Sequence, residues 1–78
     1  MISFGKLYCF EYKHQIYNPY NSMPIYGYNC RLYPTDPFVI LEKLKNSTKN
    51  LICLKILTKN GVIGEVRIYL PRVKLLKL

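Results

Sequence analysis

The feature that most constrains this chain is the Asn60-Gly61 dipeptide, set between two runs rich in Ile, Leu and Val, Leu51 to Leu57 and Val62 to Leu70. Asn-Gly between apolar runs is the strongest short-range signal for a β-hairpin, because the tight turn needs residues that tolerate positive φ. The register follows from what each alternative would bury. A two-residue loop at Asn60-Gly61 pairs Ile56 with Glu65 and Leu54 with Arg67, which places charge among apolar groups. A three-residue loop, Lys59-Asn60-Gly61 with Gly61 left-handed, instead puts Ile52, Leu54, Ile56, Thr58, Val62, Gly64, Val66 and Ile68 on one face. The opposite face then sets Lys55 across from Glu65 and Cys53 across from Arg67. This second register is the expected one, since it separates an apolar face from a charge-paired one. Gly64 leaves a gap on the apolar face, which the reading fills with a side chain from a facing helix.

Upstream, residues 6 to 17 alternate, with Tyr8, Phe10, Tyr12, His14 and Ile16 on one parity and Cys9, Glu11, Lys13 and Gln15 on the other. That pattern predicts a strand. Asn18 to Pro24 has loop composition, and Ile25 to Tyr33 is expected to return as the antiparallel partner, with Tyr12 opposite Cys30, Phe10 opposite Leu32 and Glu11 opposite Arg31. Asp36-Pro37 reads as a helix start, Asp36 capping and Pro37 in the first turn. The helix is expected over 37 to 45, with Phe38, Leu41 and Leu44 as its apolar stripe. After Pro71, the segment RVKLLKL interleaves three basic residues with Val73, Leu75, Leu76 and Leu78, and is expected as a strand or a basic arm over 71 to 78. The expected fold class is therefore α+β: one domain over 1 to 78, ordered ββαββ, an antiparallel sheet with one helix on its apolar face. A small SH3-like or OB-like β-barrel plugged by the helix is the alternative.

With 78 residues, most large apolar side chains must serve a single core, which leaves little for a deep catalytic cavity. No apolar run reaches the roughly 18 to 20 residues that a spanning helix needs, and the start MISFGKLYCF lacks a basic segment ahead of an apolar core. A soluble, intracellular protein with no membrane partner is expected. Cys9, Cys30 and Cys53 are widely spaced and form no CxxC, so buried free thiols are expected and a metal site is not. Leu, Ile, Lys, Tyr and Asn supply 42 of the 78 residues, and Ala and Trp are absent. Such usage points to an AT-rich genome and to a viral or mobile-element accessory protein.

Catalytic groups are scarce. The single histidine, His14, is expected diagonal to Cys30, but no third group orients it, and the four glycines form no phosphate-cradling loop. No enzyme, cofactor or small-molecule substrate is expected. The charge distribution is more informative. Nine of the twelve basic residues lie between residues 40 and 78, against Glu42 and Glu65, so that half holds seven of the eight net positive charges. Lys43, Lys45, Lys49, Lys55, Lys59, Arg67, Arg72, Lys74 and Lys77 are the candidate nucleic-acid-binding residues, a basic surface suited to phosphate. The bland reading is that these side chains only keep the protein in solution. A second hypothesis is a protein-protein module or homodimer, docking through Leu51, Leu57, Ile63 and Tyr69 on the outer face of the second hairpin.

Overall fold

The computed structural model describes residues 2–13 and 21–78. They form an all-β fold, with no helix among them, whose strands are β1 (Leu7–Tyr12), β2 (Met23–Pro24), β3 (Arg31–Leu32), β4 (Phe38–Lys43), β5 (Leu51–Thr58), β6 (Ile63–Tyr69) and β7 (Val73–Lys77). The β5–β6 hairpin has the register argued from its two faces: Lys55 pairs with Glu65, Cys53 with Arg67 and Leu54 with Val66. Gly61 takes φ +83°. Its N–H donates to the Thr58 carbonyl at 3.0 Å, and the Thr58 N–H closes the loop onto the Val62 carbonyl at 2.9 Å.

Five strands form one antiparallel sheet in the order β6-β5-β4-β1-β7, and β2 and β3 form a separate ribbon. The edge strands β6 and β7 are consecutive in the chain, joined only by Leu70, Pro71 and Arg72. From Tyr69 to Val73 an extended chain reaches about 14 Å at most. Four strand spacings across a flat sheet would require about 19 Å. The sheet must therefore curl until its edges approach each other, and the connecting turn is tight, with the Arg72 N–H donating to the Tyr69 carbonyl at 2.9 Å.

That curl replaces the expected helix. Residues 38 to 43 are strand: Phe38 and Ile40 are buried while Val39 and Leu41 are half-buried, a period of two. The apolar spacing at Phe38, Leu41 and Leu44 fits a helix, but nine residues make a marginal one, and adjacent β-branched Val39 and Ile40 fit a pleated surface better. Asp36 does not cap. Its N–H donates to the Tyr33 carbonyl, closing a turn in which Thr35 takes φ +71°, and its carboxylate meets Lys59 at 3.2 Å. Both the helix-on-sheet reading and the helix-plugged barrel fall with this segment.

The expected first hairpin also fails. β1 pairs with β4 through Leu7 and Tyr8, and with β7 through five residues, among them Glu11 opposite Lys74. Arg31, expected opposite Glu11, instead donates from Nε and Nη2 to the Oγ and carbonyl of Ser22. Only Arg31 and Leu32 of the expected second strand are extended in a ladder, because Gly27, at φ +89°, turns the backbone. Tyr26 and Tyr28, which share the parity of Cys30 and Leu32 and would have lain on the apolar face of that strand, are therefore exposed. The connection between β1 and β4 instead lays Met23, Ile25 and Leu32 over the concave face, completing a core with Tyr8, Phe10, Phe38, Ile40, Leu54, Ile56, Val66, Ile68 and Val73. The gap at Gly64 is filled by this lid. A Cβ there would lie 2.5 Å from Ile25 Cγ2 and 3.2 Å from the Tyr28 ring.

Candidate nucleic-acid interface

The basic residues singled out in the sequence divide into two groups once the sheet is curled. All four carboxylate side chains of the chain lie among the described residues, and two of them, Asp36 and Glu65, form ion pairs. Lys59, at the hairpin tip, is held by Asp36. Arg67 donates from Nε to Glu65 at 2.8 Å, and its guanidinium lies 4.1 Å above the centroid of the Tyr26 ring. Lys55 stands in register between Glu42 on β4 and Glu65 on β6. On the outer face of the hairpin, Arg67 is thus neutralised by Glu65, while Lys55, like Lys74 opposite Glu11, has carboxylates in register and no ion pair.

Other cations gather where the curled edges meet. The Leu70 N–H donates to the Asn50 carbonyl at 2.8 Å, which ties the loop carrying Lys45 and Lys49 to the turn carrying Arg72. The Lys13 N–H donates to the Arg72 carbonyl at 2.9 Å, which brings the end of β1 to the same place. Between them lies an open groove of about 580 Å³. Ile52, Leu70, Val73 and Leu75 contribute apolar lining, Ile2 and Phe4 come from the segment before β1, and Lys13, Lys43 and Lys74 bring three ammonium groups. None of the three forms an ion pair, although Glu11 is the register partner of Lys74. Lys77 lies along β7 outside the groove lining, its Nζ donating to Ser3 Oγ at 3.4 Å.

The hairpin residues expected at a protein interface form two apolar patches. Leu57 and Ile63 continue a cross-strand row through Val39 to Leu7, with Leu7 49% and Ile63 45% exposed. Leu51 and Tyr69 form a second pair, separated from the first by the Cys53–Arg67 and Lys55–Glu65 rungs. Cys53 belongs to this outer face yet is buried, because the loop after β4 folds over it. Ser47 Oγ accepts from the Cys53 N–H at 2.9 Å and donates to the Cys53 carbonyl at 3.1 Å.

Cys9 and Cys53 are buried free thiols and Cys30 is half-buried, while His14 lies outside the described residues. Among the described residues no three His, Cys, Asp or Glu side chains come together as a metal site, and no helix is long and apolar enough to cross a membrane. Burial pushes the Tyr12 hydroxyl above its ordinary value, partly offset by the charge of Arg31. Glu65 is held below the ordinary 4.5, chiefly by its hydrogen bond from Arg67, with Asn46 assisting and partial burial opposing. A carboxyl with a lowered folded-state pKa contributes its full stabilisation above 4.5 and loses it as the pH falls through the folded value. A carbon-detected NMR titration is expected to place the Glu65 midpoint below 4.5 and to move it upward in Arg67→Gln. An unchanged midpoint in the variant would remove the pair from solution.

Sequence reasoning missed Ile2, Phe4 and Lys13 as neighbours of the C-terminal cations. The available signal was weak: a bulky aromatic immediately before Gly5, outside any periodic run. No family model, curated protein or solved structure matches this chain.

Proposed function

We propose that this chain is a small, non-enzymatic nucleic-acid-binding protein whose phosphate contacts lie around the groove, from Lys13, Lys43, Lys45, Lys49, Arg72 and Lys74. The observation that carries this reading is the clustering of Lys13, Lys43 and Lys74 around one groove with no ion pair to any of them, Glu11 standing opposite Lys74 in register alone. Clustered, unneutralised cations raise the local potential and draw a polyanion, whereas cations scattered for solubility are usually interspersed with carboxylates. The outer face of the hairpin has that second character. The reading therefore moves the contact surface from the hairpin, where Lys59 and Arg67 are held in ion pairs, to the end of the sheet where its edges meet.

The test is titration of a labelled oligonucleotide at several salt concentrations. With three to five phosphates engaged, log K is expected to fall with log salt at a slope of about −2 to −4, single strands giving roughly −0.7 per contact. No binding at low salt, or binding indifferent to salt, would end the electrostatic reading.

A second reading is favoured by the row Leu7, Val39, Leu57 and Ile63, which crosses four strands on the outer face of the sheet. Two copies could stack these faces as aligned sheets, the usual way for apolar sheet faces to leave water. Size-exclusion chromatography with light scattering is its test, and a strict monomer at high concentration would sink it.

A further inference from the structure

We infer that the nucleic acid is single-stranded and that one unpaired base enters the groove against the Phe4 ring. This rests on the nucleic-acid reading above and specifies its ligand. Phe4 is 54% exposed, and the backbone beside it is anchored. The next residue, Gly5, takes φ +76°, and its N–H donates to the Ile40 carbonyl at 2.8 Å, anchoring the Phe4-Gly5 turn to β4. An aromatic ring half in water and lining an apolar groove, with Lys13, Lys43 and Lys74 in the same lining, asks for a ligand with a flat apolar part and adjacent negative charge.

A single strand presents both at every nucleotide: a base with a free π face and a phosphate one bond path away. Aromatic side chains supply stacking platforms in such sites, and lysines follow the backbone. A duplex offers the phosphates but keeps its bases stacked on one another, so the groove gains nothing from it. The volume of about 580 Å³ falls within the range of small-ligand pockets and is large enough for a base with its sugar. Stacking tolerates any base, so little sequence preference is expected.

The experiment compares a labelled twelve-nucleotide oligothymidine, an abasic strand of the same length and a twelve-base-pair duplex, by fluorescence anisotropy at low salt. Each is measured with the natural chain, Phe4→Ala and Phe4→Trp. The natural chain is expected to favour oligothymidine over duplex and abasic strand by about tenfold, in line with removal of one stacked base. Phe4→Ala should erase that preference and leave duplex affinity unchanged, while Phe4→Trp should keep it. A circular dichroism melt of each variant establishes that it is folded. Equal affinity for oligothymidine and duplex, or a loss in Phe4→Ala that is the same for all three ligands, would overturn the inference while leaving phosphate binding intact. Failure of all three ligands to bind would end both readings.

Discussion

Ile56→Asp is expected to abolish cooperative folding at neutral pH. Ile56 is fully buried, pairs with Ile40 on one side and Gly64 on the other, and the Gly64 gap is closed by Ile25 from the lid. Among the described residues no charged side chain is buried, so an ionised carboxylate there would be desolvated without a partner, at several kcal/mol even after relaxation. A domain of this size has on the order of 5 kcal/mol to lose. Urea titration followed by far-ultraviolet circular dichroism is the measurement, with no folded baseline expected. Ile56→Val, which removes one methyl group, should keep the cooperative transition and cost about 1 kcal/mol. A cooperative transition in Ile56→Asp near that of the natural chain would mean that the curled sheet does not enclose this residue.

The second large effect concerns charge at the groove. Replacing Lys43 and Lys74 together with Gln should weaken oligonucleotide binding by about tenfold or more at low salt. It should also make the salt slope shallower by about 1.4, the share of two phosphate contacts on a single strand. Lys59→Gln is the informative control, because Lys59 is paired with Asp36 and is not among the residues lining the groove. Its removal should leave both affinity and slope nearly unchanged. If Lys59→Gln weakens binding as much as the double variant, the contact surface is diffuse and the groove has no special part in it.

What could be read from residues alone was what is local. The hairpin from Leu51 to Leu70 carries its own instructions: a turn that only certain residues tolerate, and a parity that only one register satisfies. The inward parity of Tyr8 and Phe10 was legible for the same reason. The partner of β1 was not. Glu11 opposite Arg31 and Glu11 opposite Lys74 are equally sensible cross-strand pairs, and nothing near Glu11 distinguishes a base 20 residues away from one 63 residues away. Residues 38 to 43 show the complementary difficulty, since six apolar-rich residues satisfy both a helical stripe and a strand alternation. Tertiary context decides such cases. At the candidate site the residue types were legible and their neutralisation was not. That Lys59 meets Asp36, or that Lys13 joins Lys43 and Lys74, depends on how far the sheet curls, which no short window encodes.

The position of β1 within the sheet bears on how the molecule assembles. Its ladder with β4 spans two residue pairs, while its ladder with β7 spans five, with partners such as Cys9 and Leu76 separated by most of the chain. The hairpin can form early because its loop is short. β1, in contrast, has no adequate partner until a segment more than sixty residues later arrives, and closing so long a loop is entropically slow. Loop-closure entropy therefore favours the hairpin forming before β1 is seated between β4 and β7, two elements that follow it in the chain. The burial of Tyr8 and Phe10 thus depends on the longest-range pairing in the sheet.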